Sequence, residues 1–527
     1  MSQPGGPGGP RPVTVAPRPL SELAALLDVA VPAEGAGVPG GGLVSGVTHD
    51  SRAVRPGDLY AALPGHRHHG ARFADQAVAA GAVAILTDAA GRGLLAAAAA
   101  AAAVPVLVVP DPRAVLGRVA AWVYGDPAAD LLLLGVTGTN GKTTTAYLME
   151  AGLRAAGHCT GLLGTVETRL AGQTLPSTRT TPEAADLQAL LAVLRERGGT
   201  AAALEVSSHA LALGRVGGLR VDVAAFTNLS QDHLDFHADL EDYFAAKARL
   251  FTPEHTAHGV VNVDDPYGRR LAAQAPVPLT TCSPGGARPA DWVVRGLRRG
   301  PDGVSFTASG PPGEIPVTLR LVGSFNVANA LLALASLVAA GVAPDAAADG
   351  LAGLPGVPGR MERVDAGQPF LALVDYAHTP EAVRTLLTTL RETTTGRLLV
   401  VLGCGGDRDH GKRPAMGAAA AALADVAVLT SDNPRSEDPA AILAAMRAGA
   451  GEVPAADRAE IQVEPDRGRA IARAVALAGP GDTLVVAGRG HEPEQEVAGR
   501  LLPFDDREVL RETLRAVHGS GIAGGRG

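Results

Sequence analysis

LLLLGVTGTNGKTTTAYL, residues 131–148, is the stretch on which the reading of this chain turns. An apolar run ending at Val136 reads as a buried strand, a glycine-rich turn follows, and from Thr143 onward the residues suit a helix. Strand, loop and helix in that order make a phosphate cradle. Gly138 and Gly141 let the backbone approach an anion, Lys142 supplies a mobile positive charge, and Thr143 offers a hydroxyl to Mg2+. The spacing departs from the strict pattern, because Val136 stands five residues before Gly141 and Gly135 is one position early. The stretch is therefore a variant phosphate loop, weighed against a plain glycine turn with a solvated lysine.

The rest of the chain must supply what such a loop acts with. At 527 residues it exceeds what one core serves, so three domains are expected. A net charge of −8 and the lack of any Lys/Arg run speak against a nucleic-acid partner. Cys159, Cys282 and Cys404 are far apart and form no CxxC pair, which argues against a zinc site or a disulfide framework. The Pro/Gly-rich start has no apolar signal region, and no apolar run spans a bilayer, so a cytoplasmic location without membrane contact is expected.

Short apolar runs alternating with helical segments give an α/β fold in three parts. Residues 1–18 read as a disordered tail and 19–127 as a small α/β domain, in which Ser21 caps a first helix and Glu22 lies in its first turn. The eight alanines 96–103 favour helix and say little else. Residues 128–356 form the central domain around the phosphate loop, with a mostly parallel sheet. Two prolines and three glycines in 353–360 mark the next boundary, and 357–518 read as a doubly wound, Rossmann-like domain. Residues 519–527 read as a second disordered tail.

Parallel strands collect their carboxyl-end loops in one crevice, so polar residues after each strand are the candidates for chemistry. Glu205 closes an apolar run, where a carboxylate beside a phosphate loop binds Mg2+. His233 lies fourteen residues before Lys247, and spacing alone makes Lys247 a snorkelling helix lysine. HEPEQ at His491 is no HExxH motif, since Gln495 takes the second histidine position. In the last domain GDRD (406–409) and DNPR (432–435) present Arg and Asp after strands, a set suited to a zwitterion: Arg forks a carboxylate and an acid pairs with an ammonium. Each loop alone also passes as an ordinary turn.

GVTGTNGKTTT, EVSSHAL, TNLSQDHLDFH, YFAAKARLF, GSFNVANALLA, GRMER, DYAHTPEA, GCGGDRDHGKRP, DNPR and GRGHE, in this order from about His49 to Glu492, resemble the Mur ligases of bacterial peptidoglycan synthesis, and among them the members that add the third amino acid. The resemblance implies a UDP-substrate domain, an ATPase domain and a mobile domain that binds the amino acid. It implies that ATP phosphorylates the D-Glu side-chain carboxylate of UDP-MurNAc-L-Ala-D-Glu and that the amine of diaminopimelate displaces phosphate.

Carried over by motif, Gly138, Thr139, Asn140, Gly141, Lys142, Thr143 and Thr144 cradle the triphosphate, with Asn329, Arg360 and Asp375 at the nucleotide. Thr143 and Glu205 bind one Mg2+ and His233 a second, while Lys247 corresponds to a lysine that CO2 converts to a carbamate ligand, the reverse of the snorkelling reading. Ser51 and His66 match uridine-sugar contacts, and Thr180, Thr181, Ser207 and Arg215 match contacts to the peptide-bearing substrate. Arg408, Asp432, Asn433, Pro434, Arg435, Gly488 and Glu492 match the amino-acid pocket. DNPR implies meso-diaminopimelate, whose distal carboxylate needs the Arg435 fork; the LL isomer and L-lysine are alternatives. Leu213 and His410 depart from residues common in the family. A monomer is expected on family grounds. A silent ATP-binding homologue with a scaffolding role is the alternative of another class, disfavoured by intact Lys142, Glu205, His233 and Lys247. A folate-polyglutamylating enzyme is disfavoured by DNPR with GRGHE.

Overall fold

The computed structural model describes residues 9–30, 42–65, 67–96, 104–177, 179–286, 289–300 and 303–518. Its centre is an eleven-stranded sheet in which Thr160–Leu163, Ala201–Glu205, Leu132–Thr137, Val221–Phe226, Thr256–Asn262 and Leu279–Ser283 lie side by side and parallel. These strands are apolar almost throughout because helices cover both faces. Lys142–Ala155 and Ser324–Ala339 pack on one face, Ala184–Glu196 and Leu240–Ala248 on the other.

Beyond Leu279–Ser283 the sheet continues as Trp292–Gly300, Gly303–Gly310 and Gly313–Leu319, the last two added antiparallel. The sequence reading named no strand here. Val304, Phe306 and Ala308 alternate with half-buried Ser305 and Thr307, a one-sided pattern that arginines and glycines dilute.

A parallel four-stranded sheet, Gly46–Thr48, Asp58–Ala61, Ala84–Thr87 and Val106–Val108, forms the first layer. Two expectations are corrected in it. Ser21 is no cap, because the first helix is Leu20–Leu26 with Pro19 at its N-cap and no side-chain capping bond. Residues 9–18 are not a loose tail: Arg11 pairs with Asp58 at 2.6 Å, and the amides of Val13 and Thr14 donate to the Glu196 carboxylate. Charge pairing, free backbone donors and the packing of Val15 on the first-domain core hold the segment. Residues 1–8, 97–103 of the alanine run, His66 and the tail 519–527 lie outside the described residues.

The third sheet orders its parallel strands Leu371–Asp375, Thr483–Ala487, Leu398–Cys404, Val426–Ser431 and Glu460–Val463, with Glu362–Arg363 antiparallel at its edge. Glu460–Val463 was not anticipated; its EIQV is an edge strand without a buried run. Thr483–Ala487 lies between Leu371–Asp375 and Leu398–Cys404, which brings the GRGHE loop in among the DYAH, GDRD and DNPR loops.

Candidate active site

Strand Leu132–Thr137 delivers the chain into Gly138, whose φ of 147° and whose neighbour exclude a side chain: an added Cβ would sit 1.8 Å from Thr227 Oγ1. Gly141, with φ of 88°, is closed in the same way by Asn329 Oδ1 at 2.3 Å. Outside support completes the turn. Asn140 N donates to Asn228 Oδ1 at 3.0 Å, and Thr227 Oγ1 donates to Asn140 O at 2.6 Å. Helix Lys142–Ala155 starts directly after Gly141, so its first N–H groups face the loop.

Two lysines converge on this turn. Lys142 Nζ donates to Gly138 O and Thr139 O at 3.0 and 2.9 Å, and Lys247 Nζ donates to Gly138 O at 2.7 Å. Lys247 is only 1% exposed and lies 4.4 Å from the Tyr243 ring centroid, so the snorkelling reading is overturned. Burial first, and the charge of Lys142 second, push its amine well below the usual lysine range. Helical spacing could not reveal this, because the group that Lys247 meets, Gly138 O, lies 109 residues earlier in sequence.

Glu205, 1% exposed, accepts from Thr143 Oγ1 at 3.0 Å, from Thr165 N at 2.8 Å and from Thr165 Oγ1 at 3.0 Å. Arg360 reaches across from the third domain and donates to Thr143 Oγ1 at 3.1 Å. Asp375 accepts from the amides of Met361 and Ala377, both at 2.8 Å, while burial raises its carboxyl above the usual range. His233 takes a left-handed backbone, φ 57°, beside Asp232 and edge-on to His209 at 4.8 Å. Burial holds its imidazole down at about 3, leaving a neutral ring.

One cavity of about 530 Å³ joins most of these groups, with Lys247 outside its lining. Gly141, Lys142, Thr143, Thr180, Glu205 and His233 line it from the central domain, and Arg360, Asp375 and the start of helix Pro380–Arg391 line it from the third. Thr144 and Asn329 lie on the same wall. Thr181 binds the Glu205 carbonyl at 2.8 Å and receives Ser207 N at 3.0 Å; Arg215 pairs with Glu183 at 2.9 Å. Ser207 also caps helix Ser208–Ala212, through Ala210 N. Ser51 stands apart in the first domain, bonded to Gln76 Oε1 at 3.1 Å.

The third-domain candidates divide. Asn433 Nδ2 donates to Glu492 Oε2 at 2.8 Å, and an added Cβ on Gly488, φ 117°, would lie 2.6 Å from Asp432 Oδ2. Burial, and then Asp432, raise the Glu492 carboxyl. Arg435 sits at φ 53° and donates from Nη1 to Gly406 O at 2.7 Å, close to Glu496. The Pro434 carbonyl packs on Gly406, where an added Cβ would meet it at 2.0 Å. Arg408 is not drawn into this cluster: it faces Asp235 of the central domain at 3.6 Å and is half exposed.

Several supporting residues escaped the sequence reading. Thr165 steadies Glu205, His378 faces Asp232 at 3.9 Å, and Arg489 donates to Asn433 Oδ1 at 2.7 Å. Arg467 and Asp506 form a fully buried pair at 2.6 Å, and Arg467 also holds the carbonyls of Ser431 and Ala487, the last residues of the two strands that lead into the DNPR and GRGHE loops. GRGHE and DYAH did carry Arg489 and His378 in quoted motifs; nothing local signals Arg467.

A phosphate loop that faces the strand ends of a second doubly wound domain across one cavity defines a nucleotide-dependent enzyme with its site between two domains. Comparison with known proteins names the family. Residues 43–124 match the Mur ligase family, catalytic domain, residues 136–337 the Mur ligase middle domain, and residues 359–490 the Mur ligase, glutamate ligase domain. The chain is 59% identical over 514 residues to the UDP-N-acetylmuramoyl-L-alanyl-D-glutamate--2,6-diaminopimelate ligase of Streptomyces coelicolor, covering 97% of this chain and 99% of that one. A solved structure of a ligase of the same name is 33% identical with a TM-score of 0.64, covering 96% of this chain and all of that one. The MurF ligase of Thermotoga maritima in complex with ADP, at 18% identity and a TM-score of 0.60, covers 90% of this chain and 97% of its own and shares the fold. The chain belongs to the Mur ligase family.

Proposed function

We propose that this protein is an ATP-dependent ligase that joins meso-diaminopimelate to UDP-MurNAc-L-Ala-D-Glu in the cytoplasmic synthesis of peptidoglycan precursor, acting as a monomer. The observation that carries the reading is the single cavity lined by the phosphate loop on one side and Arg360, Asp375 and His378 on the other, in a chain 59% identical to a ligase of that name.

The donors suit the groups this requires. Thr143 and Glu205 offer hard oxygens, and among the described residues no group of three or more His, Cys, Asp or Glu could hold a metal by itself, which fits a hard cation bound largely by phosphates and water. They would hold one Mg2+, His233 with Lys247 a second, and the ions would supply charge neutralisation as phosphate meets carboxylate. A buried amine held low is the nucleophilic form that CO2 converts to a carbamate, which gives Lys247 a second identity as an oxygen ligand.

Lys142 and the loop amides orient the triphosphate so that the D-Glu carboxylate attacks the γ-phosphorus and ADP departs. Thr180, Thr181, Ser207 and Arg215, adjoining Glu205, hold the peptide end of the substrate, with Ser51 toward the uridine. Asp432 and Glu492 take the ammonium of the amino acid and Arg435 its distal carboxylate. The free amine then attacks the acyl carbon, and phosphate leaves with the bonding pair as the amide forms.

Phosphate release with Mg-ATP and UDP-MurNAc-L-Ala-D-Glu tests the reading, comparing meso-diaminopimelate, its LL isomer and L-lysine. Turnover with the meso isomer is expected, falling roughly tenfold or more in Arg435→Lys because an ammonium cannot fork a carboxylate. Preference for lysine overturns the amino-acid assignment; release independent of the UDP-dipeptide overturns the ligase.

A further inference from the structure

Tyr376 touches both halves of the chemistry. It follows Asp375 directly, at the carboxyl end of strand Leu371–Asp375, where the third sheet meets the cavity. Its hydroxyl donates to Glu492 Oε1 at 3.3 Å, and its ring lies under the Arg360 guanidinium at 4.2 Å. Backbone closes its other side: a Cβ on Gly490, φ 55°, would come within 2.9 Å of Tyr376 Cβ.

On the amino-acid side the hydrogen bonds have one direction. Arg489 Nη1 and Glu496 N both donate to Asn433 Oδ1, at 2.7 and 2.9 Å, so the Asn433 amide can turn only its NH2 toward Glu492 Oε2. Glu492 therefore has one oxygen on Asn433 and the other on Tyr376. On the nucleotide side Arg360 passes from the Tyr376 ring to Thr143 Oγ1, whose own proton goes to Glu205. The series from Arg489 to Glu205 is continuous, and Tyr376 is the one residue in it that meets a group of each site.

Resting on the ligase reading above, we propose that Tyr376 is a positioning residue that couples the two sites: its hydroxyl sets the carboxylate that receives the amino acid's ammonium, and its ring sets the arginine beside the triphosphate. An ammonium drawing on Glu492 shifts the acceptor of the Tyr376 hydroxyl, and through the ring it alters the seat of Arg360. Burial keeps the phenol protonated, as a donor must be.

Two variants separate the two contacts. Tyr376→Phe keeps the ring over Arg360 and removes only the hydroxyl; Tyr376→Leu removes both. In Tyr376→Phe the KM for diaminopimelate is expected to rise about tenfold, the scale of one hydrogen bond to a charged group, with the affinity for ATP in the absence of the amino acid unchanged. In Tyr376→Leu the KM for ATP rises as well. Binding of a fluorescent ATP analogue with and without diaminopimelate reads the coupling directly: the amino acid changes the affinity of the wild type and leaves that of Tyr376→Phe unchanged. An unchanged amino-acid KM in Tyr376→Phe, a loss of ATP affinity in that variant in the absence of the amino acid, or an undiminished effect of the amino acid on the analogue each overturns the proposal. These outcomes presuppose wild-type turnover, whose absence would strike the ligase reading instead.

Discussion

The phosphate loop and the candidate amino-acid pocket are both loops at the carboxyl ends of parallel strands, yet they are built in opposite ways. Gly138 to Thr144 are seven consecutive residues, and their geometry comes from two glycines with positive φ and a helix start. The candidate pocket is drawn from loops after Asp375, Cys404, Ser431 and Ala487, and these loops are tied by Arg489 behind Asn433, and by Arg467 with Asp506 behind two strand ends. A contiguous motif carries most of its own backbone geometry, with Thr227 and Asn228 only completing the turn. A distributed pocket borrows its geometry from ion pairs and hydrogen bonds set by topology.

The largest effect expected from this contrast is on stability. Arg467→Met leaves the Asp506 carboxylate buried and unpaired, so unfolding in denaturant should show a loss of about 3–5 kcal/mol, most of it recovered when Asp506→Leu is added. A small loss in the single variant would mean that the pocket does not lean on this pair.

Next comes the cradle. Lys142→Ala removes the mobile charge without touching the third domain, and kcat/KM for ATP should fall about 10²–10³-fold while diaminopimelate KM stays near wild type. A parallel loss in both constants would erase the distinction between the sites.

A pH series should separate them more gently. Glu492 must be ionised to hold an ammonium, and burial with Asp432 raises its carboxyl. The KM for diaminopimelate is therefore expected to climb as pH falls, starting above the ordinary carboxylate range, independently of any change in ATP KM that the raised Asp375 carboxyl brings. A climb confined to the ordinary range would remove Glu492 from the role. The smallest effect belongs to a position outside both sites: Ser21→Ala, lacking any capping bond to lose, should change stability by less than about 0.5 kcal/mol.

The same contrast explains what could be read ahead of the fold. Gly138, Lys142 and Thr143 were legible because a phosphate loop needs those residue types close together, and Glu205, 62 residues beyond Thr143, because a carboxylate closes an apolar run there; the four strands leading to DYAH, GDRD, DNPR and GRGHE appear as uniform apolar runs. Lys247 was misread from spacing, since a helix pattern records the position of a face and not what covers it. Arg408 was grouped with the pocket by its loop, whereas its side chain turns to Asp235. The antiparallel extension 292–319 and the anchoring of residues 9–18 depend on partners remote in sequence, which no local pattern encodes.

By itself, then, the sequence determined the family, the three-part α/β order and the chemistry of the phosphate loop, because glycine conformations, strand hydrophobicity and short-range spacing are local properties. Only the tertiary structure decided that Lys247 is a buried, readily neutral amine, that Arg467 and Asp506 tie two strand ends, and that Tyr376 touches both Glu492 and Arg360. Each of those depends on desolvation and on contacts between residues 39 to 116 positions apart.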